Sequence, residues 1–131
     1  MITLVSRGAV VVEMSVGQKN KIPVLEISGE IDHFVAPKLQ RQIDDIIDKG
    51  AQHLIFDFTN VHYLDSGGIG VLFNAMQQLV PRRGQIVIVC DEENLIRILE
   101  LVGLFDTRTN VSLCKDQKQA LEDLGKRIEV G

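Results

Sequence analysis

Short apolar runs rich in β-branched residues alternate along this chain with segments whose apolar residues recur at helical spacing. The predicted strands cover residues 9–15, 22–28, 53–58, 85–90 and 109–113. The predicted helices begin near Ala36, Ile69, Asp91 and Asp116, each after one of the last four strands. The resulting order, β-β-α-β-α-β-α-β-α, is typical of an α/β domain with right-handed crossovers. We therefore predict a mixed, mostly parallel sheet of four to five strands with about four helices.

Length and charge restrict the classes of function that this chain can have. With 131 residues it is long enough for one domain with a real core, which we predict to span residues 9–128. Residues 1–8 are expected to be frayed, and residues 129–131 to form a C-terminal tail. The net charge is −4 and no long basic run occurs, so we expect no direct nucleic-acid binding. Apolar runs far shorter than a membrane span, and an N-terminus unlike a signal peptide, predict a cytoplasmic protein without membrane contact.

The two cysteines, Cys90 and Cys114, each fall in or beside a predicted strand. Without a secretory signal, we predict two reduced, buried thiols, and a disulfide is the alternative that the sequence leaves open. The cysteines and the three histidines lack the clustered spacing of a metal site. We therefore predict neither a metal nor another cofactor.

The second predicted helix begins with an unusual segment, residues 64–70, which read LDSGGIG. A glycine in a helix interior costs about 1 kcal/mol relative to alanine, so three glycines here require a reason. Asp65 or Ser66 can cap the helix, and a capping role alone is one interpretation. Because Gly67 and Gly68 lack β-carbons, the other interpretation is that a partner protein approaches the Ser66 hydroxyl at this helix start.

The serine in this segment also raises the question of catalysis. The segment matches neither a phosphate-binding P-loop nor the dinucleotide-binding glycine pattern, and Ser66 does not stand in the nucleophile motif G-x-S-x-G. A Ser-His-Asp arrangement with His33, His53 or His62 depends on geometry that the sequence does not give. We predict no catalytic residue, and a small serine-dependent hydrolase is kept as an alternative.

Two segments together resemble the signature segments of a known bacterial family. Residues 29–33 (GEIDH), followed by a helix, and residues 64–72 (LDSGGIGVL) are similar to those of STAS-domain anti-sigma factor antagonists. The resemblance extends over about residues 9–128, with the same order of elements. It implies a single STAS-like domain whose mixed sheet packs against helices mainly on one side.

This resemblance implies a partner switch that controls transcription. An unmodified antagonist binds an anti-sigma factor that is also a serine kinase of the GHKL type, and this binding frees a sigma factor. The kinase phosphorylates the serine after the motif's aspartate, here Ser66, and the phosphorylated antagonist is released. A PP2C-type phosphatase then resets it. Gly67 stands where the family often has serine or threonine, which leaves Ser66 as the only hydroxyl in the segment.

The same resemblance implies a docking surface around the serine. Its expected residues are Asp32, His33, Asp65, Gly67, Gly68, Asn74 and Gln77. A plain solvated helix face is the alternative for Asn74 and Gln77, and Phe34 is either part of the docking loop or a core residue. A monomer or weak dimer is expected. Within the fold, the alternative functions are a stressosome-like scaffold and a transport-associated regulator.

Overall fold

The structure, a computed structural model, describes the backbone of residues 1–130 and the side chains of residues 1–126. Within these residues the chain forms six strands: β1 (Ile2–Val5), β2 (Val11–Lys19), β3 (Ile22–Ile31), β4 (Leu54–Leu64), β5 (Ile86–Val89) and β6 (Val111–Cys114). The same residues form four helices: α1 (Ala36–Asp48), α2 (Ser66–Leu79), α3 (Glu93–Leu101) and α4 (Gln117–Val130). The predicted α/β alternation is therefore confirmed, with one additional strand at the N-terminus.

All six strands of the described chain form one sheet in the order β1-β2-β3-β4-β5-β6. The first three strands are antiparallel neighbours, whereas β3 to β6 are parallel. The prediction of four to five strands is therefore wrong by one strand. β1 lies in the segment that the sequence predicts to be frayed, and it pairs with β2 from Ile2↔Met14 to Val5↔Val11. A four-residue strand at a sheet edge gives too short a pattern to be recognised in the sequence.

Three strands are longer than the sequence pattern predicts. Residues 29–31 and 59–64, expected to be connecting segments, continue β3 and β4 to their ends, and β2 extends to Lys19. Two register shifts interrupt the β3–β4 pair, at residues 26–28 and 29–30. The backbone continues to pair across these polar, irregular segments, although their hydropathy does not alternate. As a result, the residues that directly follow β3 and β4 lie at the same edge of the sheet.

The sheet separates two apolar layers. α1, α2 and α3 cover one face over the larger core, which contains inward residues of every strand from β2 to β6. α4 covers part of the other face, where Ala120 and Leu124 contact a smaller apolar group: Ile22, Val24, Ile55, Val87, Val89 and Cys114. Successive side chains of a strand point to opposite faces, which places Val24 in the smaller layer and Leu25 in the larger one. Three of the four described helices share one face, as the resemblance implies.

The C-terminal helix α4 continues to Val130, two residues beyond the predicted end of the domain at residue 128. Gly131, the last residue of the predicted tail, lies outside the described residues, as does the side chain of Ile128 that the periodicity turns inward. None of the described helices is both long and apolar enough to cross a membrane.

Both cysteines are buried thiols that form no disulfide, as the sequence predicts. Cys90 belongs to the larger core and Cys114 to the layer under α4, so the two side chains lie on opposite faces of the sheet. Burial is the main cause that raises the pKa of the Cys90 thiol above its ordinary value. Cys90 is therefore protonated and unreactive at neutral pH.

Candidate functional site

The candidate site lies where β3 and β4 end side by side. These strands are parallel neighbours, and Ile31 pairs with Leu64 at the end of their register. Each strand is followed directly by an aspartate, Asp32 or Asp65, and the backbone N–H of Asp65 donates to the Ile31 carbonyl at 3.3 Å. The carboxyl edge of the parallel sheet thus brings together the two segments that the sequence singles out.

Asp65 is the N-cap residue of α2 and ties this helix to the segment after β3. Its Oδ1 accepts hydrogen bonds from the backbone N–H groups of Gly67 (2.8 Å) and Gly68 (3.2 Å). Its Oδ2 accepts from the N–H of His33 (2.9 Å) and lies 3.2 Å from His33 Nδ1. Burial acts to raise the pKa of Asp65, but the hydrogen bonds from His33, Gly68 and Gly67 outweigh it, so this pKa lies below its ordinary value. The carboxylate is therefore ionised at neutral pH and fixed in position.

Asp32 holds the segment between β3 and α1. It is 6% exposed, and its Oδ1 accepts from the N–H groups of Phe34 (3.0 Å) and Val35 (2.9 Å). Its Oδ2 accepts from the N–H of Arg7 at 2.9 Å. The sequence predicts Asp32 on a docking surface, whereas the structure places its carboxylate beneath that surface. Asp32 therefore stabilises the backbone of the segment between β3 and α1, and the exposed side chains of that segment form the surface.

Gly67 and Gly68 are required by packing within the molecule. A β-carbon on Gly67 would lie 2.7 Å from His33 Cα. A β-carbon on Gly68 would lie 2.8 Å from the Ile31 carbonyl oxygen and would overlap the Leu64 side chain. Real β-carbons do not approach other atoms this closely, so both positions demand glycine. Contacts within the molecule are therefore sufficient to explain both glycines, and their role in the approach of a partner to Ser66 stays a prediction.

Ser66 is exposed and is the first residue of α2. Because Asp65 supplies the cap, the Ser66 hydroxyl is not needed for it, and it has no hydrogen-bond partner among the residues that the structure describes. Gly70 lies four residues further along the same helix face, and a β-carbon there would meet no described atom within 4 Å. Of the three glycines in the motif, Gly70 is thus the one that keeps open surface near the hydroxyl.

The His33 ring lies between Asp65 and an arginine from the N-terminus. Its Nδ1 faces Asp65 Oδ2, and its Nε2 lies 3.3 Å from Nη1 of Arg7. Because arginine is only a donor, we assign Nε2 as the acceptor and Nδ1 as the protonated nitrogen. Neither ring nitrogen faces the Ser66 hydroxyl, so His33 does not supply the base of a Ser-His-Asp triad. The sequence gives no signal for Arg7, which reaches the site only through the pairing of β1 with β2.

Amide side chains line the flank of α2 beside the site. Asn74 and Gln77 are exposed, which agrees both with a docking surface and with a solvated face. Asn74 Nδ2 donates to Gln40 Oε1 of α1 at 3.4 Å. Asp44 Oδ1 accepts from the side-chain amides of Gln40 and Gln78, both at 2.8 Å. These hydrogen bonds between side chains join α1 to α2. The spacing of residues within one helix does not predict such pairs between two helices.

Two exposed aromatic side chains border the site. Phe34 is 55% exposed and Tyr63 is 49% exposed. Of the two predictions for Phe34, a docking loop or a core residue, the structure therefore excludes the core. Tyr63 shares a shallow depression with His33 and Asp65. Exposed aromatic residues beside a polar centre are typical of protein interfaces.

The fold and the capped helix start define a STAS domain. The model of that family, described as "STAS domain", matches residues 13–116, and the chain belongs to this family. The anti-sigma-B factor antagonist of Listeria monocytogenes is 35% identical over 80 residues, which cover 61% of this chain and 70% of the relative. The anti-sigma-B factor antagonist of Bacillus subtilis is 30% identical over 95 residues, which cover 72% of this chain and 86% of the relative.

Solved structures show the same fold. The crystal structure of an anti-sigma factor antagonist from Mycobacterium paratuberculosis superposes with a TM-score of 0.78 and 25% identity, over 92% of this chain and 97% of that one. The anti-sigma factor antagonist SpoIIAA in its unphosphorylated form gives a TM-score of 0.68 at 17% identity, over 87% of this chain and 98% of that one. A sulfate transporter family protein from Wolinella succinogenes gives 0.70 at 18% identity, over 86% and 92%. The last two similarities, below 25% identity, concern the fold alone.

Proposed function

We propose that this chain is an anti-sigma factor antagonist that acts as a partner switch in the cytoplasm. Its unphosphorylated form binds an anti-sigma factor that is also a serine kinase of the GHKL type, and this binding frees a sigma factor. Phosphorylation of Ser66 ends the complex, and a PP2C-type phosphatase restores the binding form. The names of the relatives in Listeria and Bacillus and the shared fold support this proposal.

The exposed Ser66 hydroxyl is the observation on which the proposal depends. Its oxygen would attack the γ-phosphorus of ATP while the bond to the ADP oxygen breaks, and a base of the kinase would take the hydroxyl proton. The kinase active site must therefore reach the start of α2. The hydroxyl has no partner among the described residues, and Gly70 leaves room beside it, which suits such an approach.

The surface around the serine suits a protein partner. His33, Phe34 and Tyr63 project on the side of the β3 and β4 ends, and Asn74 and Gln77 project along α2. We assign to these five residues the direct contacts with the kinase. Asp32, Gly67 and Gly68 lie beneath them, and their role is to hold the segments that present the contacts.

Phosphorylation would release the partner through charge. A phosphoryl group on Ser66 adds about −1.5 to −2 charges at pH 7. Asp65 is already ionised beside it, so an interface closing over this point would have to desolvate two neighbouring anions. The association free energy then becomes less favourable while the domain itself keeps its structure.

Mass mapping after incubation with the kinase and ATP tests the assignment. Ser66→Ala is expected to fold, to bind the kinase and to resist phosphorylation. The matched control, Thr59→Ala, removes another exposed hydroxyl and is expected to be phosphorylated like the wild type. Ser66→Glu is expected to fold and to bind at least tenfold more weakly in calorimetry. Phosphate found on Ser28 or Thr59 instead of Ser66 would contradict the proposal.

The same variants separate this function from the hydrolase that the sequence leaves open. A hydrolase turns over a substrate without a partner, and Ser66→Ala abolishes that turnover. A partner-switch protein binds the kinase in a manner that depends on ATP or ADP, and Ser66→Ala retains this binding. Retained binding together with lost phosphorylation therefore supports the switch and contradicts the hydrolase.

A further inference from the structure

The Arg7 guanidinium stands at the candidate site without a carboxylate partner. Its Nη1 lies 3.3 Å from His33 Nε2, and the described residues offer this side chain no other hydrogen bond or ion pair. Glu30, Asp32 and Asp65 border the same depression. An arginine beside three carboxylates ordinarily forms a bidentate pair with one of them. Here most of its five N–H donors remain available for another anion.

The neighbouring carboxylates are occupied by other donors. Asp65 accepts from N–H groups on both sides of the site, and both oxygens of Asp32 accept backbone N–H groups. Glu30 Oε2 accepts from the Ser6 hydroxyl at 3.3 Å. Because their oxygens accept these other donors, the three carboxylates leave the Arg7 guanidinium without an ion pair. The guanidinium is therefore the main local charge that favours an additional anion.

The backbone around Arg7 is held in place over the site. The N–H of Arg7 donates to Asp32 Oδ2 at 2.9 Å. The turn between β1 and β2 is closed by the N–H of Ser6 donating to the Val10 carbonyl (2.9 Å) and by the N–H of Val10 donating to Ser6 Oγ (3.2 Å). Arg7 thus lies on an ordered hairpin. Because its backbone is already fixed, less conformational entropy is lost when its side chain binds an anion.

We propose that Arg7 receives the phosphoryl group of phosphorylated Ser66, and that His33 positions the guanidinium through the contact of its Nε2 with Arg7 Nη1. The inference rests on the proposed function, in which Ser66 carries that group. His33 is adjacent to the residues on both sides of the serine. Its backbone N–H donates to Asp65 Oδ2, and its Cα would lie 2.7 Å from a β-carbon on Gly67. The phosphate presents three acceptor oxygens to a guanidinium fork with unused donors.

This contact would be a feature of this chain's N-terminal hairpin. The STAS domain match covers residues 13–116 and leaves out Arg7, although it includes Ser66, His33 and Asp65. The hairpin would therefore add a phosphate receptor to a site whose other parts lie within the family match.

A phosphorus NMR titration tests this contact without any kinase. Phosphoserine is inserted at position 66 during translation, and the second pKa of the phosphate is measured in the parent chain and in variants. Arg7→Gln is expected to raise this pKa by about half a unit to one unit, because an opposite charge nearby favours the dianion. Arg97→Gln removes an exposed arginine of α3 and is expected to leave the pKa unchanged.

Arg7→Lys keeps the charge but loses the planar fork, so we expect it to restore part of the shift. Equal phosphate pKa values in the parent, Arg7→Gln and Arg7→Lys chains would overturn the inference. Amide spectra of the unphosphorylated variants check that the hairpin is retained, since the Arg7 N–H that bonds Asp32 is present in all of them. A kinase that modifies a different residue would defeat the proposed function and leave this titration result unaffected.

Discussion

Alanine at positions 68 and 70 is expected to change the stability of the domain in opposite directions, although both glycines lie in α2. Replacing glycine by alanine inside a helix favours folding by about 1 kcal/mol when nothing else changes. At Gly70 nothing else changes, because the added β-carbon meets no described atom within 4 Å. Gly70→Ala is therefore expected to raise the free energy of unfolding by about 0.5–1 kcal/mol.

At Gly68 the same gain is opposed by a collision. The added β-carbon would lie 2.8 Å from the Ile31 carbonyl oxygen and 2.9 Å from Ile31 Cγ2, and it would overlap Leu64 Cδ1. Overpacking of this kind costs about 1–3 kcal/mol. The carbonyl belongs to β3 and accepts the N–H of Asp65, so it cannot move aside without weakening the strand ends. We expect Gly68→Ala to lower the free energy of unfolding by about 1–2 kcal/mol.

Urea unfolding followed by circular dichroism measures both variants against the wild type. With a urea dependence of about 1–3 kcal/mol/M for a small domain, the midpoint should rise by roughly 0.2–1 M in Gly70→Ala and fall by roughly 0.3–2 M in Gly68→Ala. Gly70→Ala is the matched control, because it contributes the helix propensity without the collision. If Gly68→Ala were as stable as Gly70→Ala, packing against β3 would not be the reason for the glycine.

Two further predictions concern the cap and the exposed ring. Asp65→Asn should lower the free energy of unfolding by about 1 kcal/mol at neutral pH, because an amide NH2 would replace the oxygen that accepts from the His33 N–H. The folded-state pKa of Asp65 lies below its unfolded value. The ionised carboxylate therefore stabilises the domain above about pH 4, and this stabilisation is lost as the pH falls through the folded-state pKa. The urea midpoints of the wild type and the variant should converge in that pH range, and a difference that stays constant with pH would contradict the prediction. Phe34→Ser should change the free energy of unfolding by less than about 0.5 kcal/mol but should weaken kinase binding, measured by calorimetry, about tenfold or more. Leu101→Ser is the control, because Leu101 is a 79% exposed residue of α3, and it should change neither the free energy of unfolding nor the binding.

Helical periodicity predicted α1 better than α2. Helical spacing predicts an inner face of five apolar residues for α1, and all five are buried: Ala36, Leu39, Ile43, Ile46 and Ile47. For α2 the same spacing predicts Leu72, Leu79 and Val80 to face inward. Leu72 and Leu79 are buried, but so are Val71 and Ala75, and Val80 lies just beyond the helix and is 59% exposed. α1 has charged residues opposite its apolar stripe, which fixes its orientation. α2 has apolar or small residues on most of its surface, so the spacing alone does not determine which side contacts the sheet.

The motif located the candidate site, but the sequence did not reveal the contacts that shape it. Asp65 and Ser66 were recognisable because a polar pair and glycines stand between a strand and a helix. The reason for Gly68 depends on the register that sets Ile31 against Leu64, and the position of Arg7 depends on the pairing of β1 with β2. Both are contacts between segments distant in sequence. Periodicity describes single elements, so it carries no information about them.

The division of roles between Asp65 and Ser66 allows a modification that acts on an interface and leaves the fold unchanged. If the serine were the N-cap, a bulky phosphoryl group would replace the capping hydroxyl, and loss of a cap costs about 1 kcal/mol. Here Asp65 is the cap, and Ser66 occupies the first helical position, where a negative group interacts favourably with the helix dipole by about 0.3–1 kcal/mol. Phosphorylation should therefore be neutral or slightly stabilising for the domain. A loss of partner affinity on phosphorylation then reports the charge at the interface and not partial unfolding of the antagonist.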